Sequence, residues 1–183
     1  MTQIQGGSKL RNNNLIRKLT LGGLMIALVF VTTFSIKIPV PFTQGYIHGG
    51  DSMIFVAAIL LGWKYGALAG GLGSALADLI GGYTHWVLPT LIIKTIMGAL
   101  IGLIAQKSLN NKRLLSISQF LGMLVGGTWM VLGYYGAAAI IYGSFIVPIY
   151  SIPWNILQFA IGLIIACLII VALKKTSIQE YLK

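Results

Sequence analysis

The stretch "GWKYG" (Gly62–Gly66) decides how this chain folds, because it interrupts an otherwise apolar region. That region would form one overlong helix, since about 20 residues suffice to cross a membrane. Two glycines and a lysine within five positions are typical of a tight turn. We therefore predict that two helices, Ser52–Gly62 and Tyr65–Gly81, meet here. Without the turn, the chain would have five spans rather than six.

The composition around this stretch is that of an integral membrane protein. Of the 183 residues, 57% are hydrophobic and only 9% are charged, and the mean hydropathy is +0.88. A water-soluble domain of this length needs far more charge to cover its surface. The length suits one compact bundle of about five to seven spans and leaves no room for a soluble catalytic domain.

Four further apolar runs complete a prediction of an all-α membrane protein with six transmembrane helices. The first run is too long for the apolar part of a signal peptide and lacks a small-residue cleavage site, so we interpret it as the first span. We treat residues 1–183 as a single membrane domain with cytoplasmic tails at 1–14 and 174–183. The predicted helices are Leu15–Ile36, Ser52–Gly62, Tyr65–Gly81, Val87–Gln106, Ser116–Gly143 and Ser151–Leu173.

Basic residues predict the orientation of this bundle. The formal net charge is +10, and the lysines and arginines cluster between apolar runs, as in cytoplasmic loops that face anionic lipid. With six spans and a cytoplasmic N-terminus, only Lys37 falls outside, and Lys94 lies within a span. Both termini are therefore expected in the cytoplasm. No contiguous basic face remains once the spans are removed, so we expect no nucleic-acid partner.

The predicted outer side carries more polar groups than the usual interfacial belt of tyrosine and tryptophan explains. Its three segments are Lys37–Asp51, Gly81–Trp86 and Tyr142–Asn155. Pro39 and Pro41 forbid a regular helix in the first segment, so we expect a long loop that folds back over the bundle.

Asp78 is the most informative of the polar residues. A carboxylate within a span costs about 2.5–3.5 kcal/mol on insertion scales and is usually paired, turned inward and functional. The simpler alternative is a carboxylate near the helix end that holds loop amides. Lys94 is the natural counter-ion, because its long stem lets the ammonium reach toward the outer surface. We predict an Asp78–Lys94 salt bridge that is either structural or presents charge to a ligand.

Other polar residues have both a structural and a ligand-binding interpretation. Asp51 precedes the second helix and is expected to cap it. His48 either assists a ligand or bonds a loop carbonyl. His85 and Trp86 lie where an interfacial anchor is expected. Asn155 stands at a helix start, so capping competes with ligand binding there too.

The sequence offers no catalytic, metal or cofactor motif. Phosphate-loop, dinucleotide-binding, zinc-protease and nucleophile-elbow patterns are all incomplete or missing. The single cysteine, Cys167, excludes an internal disulfide and a multi-cysteine metal site. We therefore expect no enzyme activity in this chain.

Small residues at helical spacing form a second signal. Gly66, Gly70 and Gly73 of the third span allow a neighbouring backbone to approach closely. Gly23 and Ala27 make a similar pair in the first span. Packing within the bundle is the default interpretation of that pair, and docking of another subunit is the alternative.

The segment from Ile47 to Ala105 resembles the substrate-binding S components of energy-coupling factor (ECF) vitamin transporters. It shares a G-D opening at Gly50, an L-G-x-x-x-G turn beginning at Leu61, and a glycine-rich helix ending A-D-L-x-x-G-Y at Tyr83. A fourth helix with a proline and a lysine completes the pattern. Among S components, those for hydroxymethylpyrimidine or pyridoxine are the most similar.

The resemblance implies a subunit that binds a vitamin from outside a bacterial plasma membrane but cannot pump alone. A membrane scaffold subunit and two cytoplasmic ATPases would complete the importer, with Gly23 and Ala27 against the scaffold. The S component would deliver its ligand by toppling in the bilayer. Pantothenate, riboflavin and cobalamin remain alternative ligands.

The resemblance also places the ligand in the outer half, between the long first outer loop, which would act as a lid, and the last three helices. Aromatic surfaces there suit a heteroaromatic ring, and fixed polar groups would orient it. Of the candidates, Asp78 is expected to support the site, with Tyr83, His85 and Trp86 nearer the ligand. Carried over by position, the candidates are Gln44, His48, Asp78, Tyr83, His85, Trp86, Lys94, Trp129, Tyr134 and Asn155.

Two other classes of function remain open from the sequence. A stand-alone proton-coupled secondary transporter would use Asp78 and Lys94 as its titrating pair. A structural or assembly protein of the membrane would bind no ligand at all.

Overall fold

The computed structural model describes residues 2–40, 45–106 and 115–176. Within these ranges the chain forms six α-helices and one short antiparallel hairpin. Two 3-10 turns, Thr84–Trp86 and Val147–Ser151, precede the fourth and sixth helices. The elements in chain order are α1 (Thr2–Ser35), β1 (Lys37–Pro39), β2 (Tyr46–His48), α2 (Gly50–Leu61), α3 (Trp63–Ile80), α4 (Val87–Ala105), α5 (Ile117–Tyr142) and α6 (Ile152–Lys174).

Four segments of the described chain are long and apolar enough to cross a membrane. They are Leu15–Ser35, Thr84–Ala105, Ile117–Tyr142 and Val147–Leu173. The helix α2 is apolar but has only 12 residues, and α3 is rich in glycine. The helix α1 also begins at Thr2, so helical structure extends into the segment expected as a tail. The protein is therefore mostly helical and membrane-embedded, whereas the count of six complete spans stays a prediction.

The break predicted at "GWKYG" is confirmed and occupies a single residue. Gly62 has a φ of 87°, a left-handed conformation that side chains with a Cβ rarely adopt. As a result α2 ends at Leu61 and α3 starts at Trp63. The two helices then run antiparallel, and a Cβ on Gly66 would lie 2.5 Å from Cβ of Ala58.

Glycines also set the register between α3 and α4. A Cβ on Gly98 would overlap the carbonyl oxygen of Gly66, and one on Gly70 would lie 2.7 Å from the carbonyl oxygen of Lys94. Gly66 therefore stands level with Gly98, and Gly70 with Lys94. Only residues without a side chain allow two helices to approach this closely.

The core is built from every helix and is almost wholly apolar. Phe55, Met97 and Met130 are fully buried there. Gly73 of α3 lets α1 approach, since a Cβ at that position would lie 2.8 Å from the carbonyl oxygen of Ile26. Other members of the core are Val29, Ile54, Ile101, Met123, Ala166 and Ile170.

The helix α2 is much shorter than its neighbour. At 1.5 Å per residue, its 12 residues span about 18 Å, whereas the 18 residues of α3 span about 27 Å. Because α2 ends and α3 begins at Gly62, the first residue of α2 lies about 9 Å short of the level of the last residue of α3. The β1–β2 hairpin, paired Lys37 with His48 and Pro39 with Tyr46, follows α1 and leads into α2 at this end of the bundle.

Candidate functional site

A cavity lies between the hairpin and the neighbouring ends of α3, α4, α5 and α6. Its volume is about 550 Å³, including the open mouth. Four aromatic side chains contribute to its wall, namely Tyr46, Trp86, Tyr134 and Tyr142. The polar side chains that line it are His48, Asp78, Thr90, Ser151, Asn155 and Gln158.

Asp78 is held in the cavity wall by hydroxyl groups. The Tyr46 hydroxyl donates to Oδ1 of Asp78 over 2.5 Å, and Thr90 also hydrogen-bonds this carboxylate. The Tyr134 hydroxyl in turn donates to Oγ1 of Thr90 over 3.1 Å. Asp78 is only 4% exposed and forms no salt bridge with any residue of the described chain. It is therefore a buried carboxylate in the cavity wall that accepts hydrogen bonds from two hydroxyl groups.

The predicted Asp78–Lys94 salt bridge is wrong. Lys94 instead pairs with Oδ1 of Asp51, and both side chains are completely buried. Asp51 consequently does not cap α2; the N-cap position is Gly49, which has no side chain to do so.

Helix register explains why the lysine has the other partner. Lys94 is level with Gly70, and Asp78 lies eight residues beyond Gly70 on the same helix, about 12 Å away along the axis. That distance exceeds the reach of a lysine side chain. Ile54 also packs at the level of Gly70, which places Asp51 only about 4.5 Å from the level of Lys94. Thr90, one turn before Lys94, meets Asp78 in its place.

A second polar chain ties the hairpin to the bundle beneath the cavity. The Gln158 amide donates to Oδ2 of Asp51 over 2.8 Å, and its carbonyl accepts from the backbone N–H of His48 over 2.9 Å. Both ends of Gln158 are therefore occupied within the protein. Lys94, Asp51 and Gln158 thus connect α4, α2 and α6 to the end of β2.

His48 is neutral and has a defined tautomer. Its Nδ1 accepts a hydrogen bond from the backbone N–H of Gly50 over 3.1 Å, so the ring proton resides on Nε2. Burial lowers the pKa of His48 to about 3; the charges of Lys94 and Lys37 act in the same direction, while Asp51 opposes them. The ring can therefore offer the cavity one N–H donor.

The aromatic residues of the cavity form a contiguous wall. The rings of Trp86 and Tyr134 are 5.7 Å apart, and those of Trp86 and Tyr142 are 6.4 Å apart. The Lys94 ammonium lies 5.3 Å from the centre of the Tyr134 ring, which links the wall to the buried ion pair. Tyr46 stands on the hairpin side, and burial and the nearby Asp78 charge raise the pKa of its hydroxyl, which stays protonated.

Five of the ten residues predicted to bind substrate line the cavity together. They are His48, Asp78, Trp86, Tyr134 and Asn155. Asn155 lies inside the first turn of α6, whose N-cap is Ser151, so the capping interpretation of Asn155 is wrong. Its side chain is left for the cavity.

The other predicted residues lie elsewhere. Tyr83 packs behind Tyr46 with tilted rings whose centres are 4.5 Å apart, and His85 is exposed beside Trp86. Lys94 is buried below the cavity, and Trp129 packs on the core while donating to the carbonyl of Ile93. Gln44 lies outside the described residues.

Several cavity residues were not among the predicted substrate-binding residues, although residue spacing marks most of them. Tyr142 follows Tyr134 by eight positions, and Gln158 follows Asn155 by three, so each pair shares one helix face. Tyr46 alternates with His48 on one face of a strand. Thr90 gave no signal of its own, because an isolated threonine in a span is ordinary.

Comparison with known proteins identifies the class of molecule that this fold and cavity belong to. A family model described as "ECF-type riboflavin transporter, S component" matches residues 13–175. The chain therefore belongs to the ECF-type riboflavin transporter S component family. It is a membrane transporter subunit and not an enzyme.

Two relatives and one solved structure are similar to this protein over most of the chain. The "Thiamine precursor transporter HmpT" of Lactococcus lactis subsp. cremoris (strain MG1363) is 33% identical over 172 residues, covering 93% of this chain and 95% of the relative. An uncharacterized protein of Pyrococcus woesei is 46% identical over 115 residues, which is 63% of this chain and 74% of that protein. The solved S component of a bacterial ECF transporter has a similar fold, with a TM-score of 0.58 at 21% identity, covering 87% of this chain and 94% of the other.

Proposed function

We propose that this protein captures a small heteroaromatic vitamin precursor, hydroxymethylpyrimidine, in the cavity beside Asp78. The observation that carries the proposal is a carboxylate in an aromatic cavity wall, hydrogen-bonded by Tyr46 and without a salt bridge among the described residues. Such a group prefers a ligand edge with N–H donors, and the amino group of an aminopyrimidine provides one. Aromatic rings bind the flat face of the same ligand.

The shape and charge of the cavity argue against the alternative vitamins. Riboflavin presents two carbonyl oxygens around a single N–H on its polar edge, and the oxygens would face a carboxylate. Pantothenate carries a carboxylate of its own, which Asp78 would repel. Cobalamin is too large for about 550 Å³. Pyridoxine offers hydroxyl donors, so it is the proper comparison ligand.

The identity of the HmpT relative adds support, since its printed name describes a thiamine precursor transporter. The secondary-transporter hypothesis loses its basis, because Lys94 bonds Asp51 and is not paired with Asp78. The buried Asp51–Lys94 pair has an architectural explanation in its links to Gln158.

The wider assembly is part of the same proposal. The distribution of basic residues supports six spans with both termini in the cytoplasm and location in a bacterial cell membrane. A scaffold subunit and two ATPases would drive release of the ligand by toppling of this subunit. Gly23 and Ala27 are exposed, and no described residue lies within 4 Å of a Cβ on Gly23, which supports docking of the scaffold on this face of α1.

The test is a binding measurement on the purified protein. Mass spectrometry of denatured samples should detect co-purified hydroxymethylpyrimidine, and titration calorimetry should rank it above pyridoxine and riboflavin. Tight riboflavin binding with no hydroxymethylpyrimidine binding would overturn the proposal. Uptake in cells should stop when the ATPases are removed, whereas uptake by this chain alone would contradict the importer assignment.

A further inference from the structure

A lysine is held against three aromatic rings beside the cavity. The Lys37 ammonium lies 4.5 Å from the ring centre of Phe34, 4.9 Å from that of Tyr46 and 5.3 Å from that of Tyr83. A cation within about 6 Å of a ring centre is attracted to its face. The rings come from the end of α1, from β2 and from the turn after α3, so this one ammonium joins three separate parts of the chain.

Tyr46 connects this cluster to the cavity. Its ring packs on that of Tyr83 at 4.5 Å, and its hydroxyl donates to Asp78. In the hairpin, Tyr46 stands opposite Pro39, so Lys37 is its diagonal neighbour on the same face. A displacement of Lys37 from the rings would therefore affect the position of Tyr46, the side chain that covers and orients Asp78.

We propose that Lys37 is a positioning residue of the cavity, a cationic latch that holds the β1–β2 hairpin against Tyr83 and keeps Tyr46 on Asp78. With the latch closed, the hairpin covers the cavity and slows the exit of a bound molecule. With the latch released, Tyr46 moves away with the hairpin and the cavity opens. The inference rests on the proposed function only for the identity of the ligand.

The first experiment needs no ligand. In a Cys167→Ala background, Ala138→Cys places a thiol in the cavity wall, where Ala138 is 3% exposed. Its reaction with N-ethylmaleimide, an uncharged reagent, is followed in detergent. Lys37→Met should accelerate the reaction about tenfold, whereas Lys37→Arg should keep the original rate within about twofold, because guanidinium also binds aromatic faces. An unchanged rate in Lys37→Met overturns the latch.

A second variant separates the latch from general loss of stability. Tyr83→Leu should also accelerate the reaction, and the double variant should be less than additive, because both changes remove the Lys37–Tyr83 contact. Additive accelerations, or an acceleration that Lys37→Arg fails to rescue, would contradict the proposal. The melting temperature of each variant reports whether the fold is intact.

Measurements of ligand binding distinguish a failure of the latch from a failure of the proposed function. With hydroxymethylpyrimidine, Lys37→Met should raise the dissociation rate about tenfold while the association rate does not fall. If the original protein does not bind this ligand but the thiol reaction still accelerates, the proposed function fails and the latch stands. If the ligand binds and neither rate changes, the latch is wrong and the proposed function stands.

Discussion

At the scale of single residues, the two described carboxylates have opposite environments. Asp51 is paired with Lys94, whereas Asp78 is surrounded by hydroxyl groups. Of these two, only Asp78 lines the cavity. From the sequence we predicted a salt bridge between Lys94 and Asp78 and assigned Asp51 to capping α2. Which carboxylate pairs with Lys94 depends on the register between neighbouring helices. The spacing of residues within one helix does not specify that register.

Replacing Asp78 by asparagine should weaken hydroxymethylpyrimidine binding by about 10- to 100-fold, because a hydrogen bond to a charged group is lost. The substitution keeps the size of the side chain and an acceptor for Tyr46. His85→Ala is the matched control, since His85 is exposed and does not line the cavity. Calorimetry that finds equal affinity for Asp78→Asn, or a greater loss for His85→Ala, would contradict this role.

The neutral state of His48 predicts a dependence of stability on pH. Since the pKa falls from 6.5 to about 3 on folding, only the unfolded chain binds this proton between those values. The contribution is complete above pH 6.5 and is lost as the pH falls toward 3. We expect the melting temperature to drop less on acidification in His48→Gln, which cannot titrate. Equal drops in the two proteins would refute the prediction.

The buried ion pair predicts a non-additive effect on stability. Lys94→Met leaves the Asp51 carboxylate buried and unpaired, which should destabilise the protein by about 3–5 kcal/mol. The double change Asp51→Asn with Lys94→Met should recover part of that loss, because no charge remains buried. Unfolding measurements in detergent check this, and a double variant less stable than Lys94→Met alone would be inconsistent with it.

At the scale of helices, the glycines between α3 and α4 fix the geometry of the site. Gly98→Ala should lower the melting temperature strongly, because its Cβ would overlap the carbonyl oxygen of Gly66 and force the helices apart. Gly136→Ala on α5 is the control, since nothing lies within 4 Å of a Cβ there. A smaller shift for Gly98→Ala than for Gly136→Ala would show that the register is set elsewhere.

Helix positions were largely predictable, because each depends on local sequence. The expected Val87–Gln106 corresponds to α4, Val87–Ala105. The predicted start of the fifth helix coincides with a capping box, in which Ser116 and Gln119 bond each other's backbone N–H. The hairpin was not predicted, since three-residue strands are too short to show an alternating pattern.

At the scale of the whole molecule, the exposed face of α1 predicts separable binding and assembly. Gly23→Leu with Ala27→Leu should abolish co-purification with the scaffold subunit, because bulk on this face prevents close helix contact. Ligand binding should persist, since Gly23 has open space around it. Gly136→Leu, at another open glycine, should assemble normally. Retained assembly of the α1 variant would contradict the docking role.

The family resemblance placed the ligand in the outer half of the bundle, under the first loop. Five of the residues carried over from it line the cavity, whereas the remaining wall residues were not predicted. Trp129 was predicted to bind substrate but packs on the core, because the sequence does not distinguish an aromatic residue that faces the core from one that faces a cavity. Tyr134, five residues later on the same helix, lines the cavity. Only the packing between helices determines which of the two side chains faces the cavity.

The shortness of α2 has a consequence for how such a site originates. No residue of α2 lines the cavity, and the first residue of α2 lies about 9 Å short of the level of the last residue of α3. The cavity thus lies at the end of the bundle where α2 is shorter than α3, beside the hairpin. A helix bundle can therefore form a pocket by shortening one helix beneath a hairpin, while its packed core stays intact. Six added residues at the start of α2 would give it the length of α3 and should reduce the cavity volume.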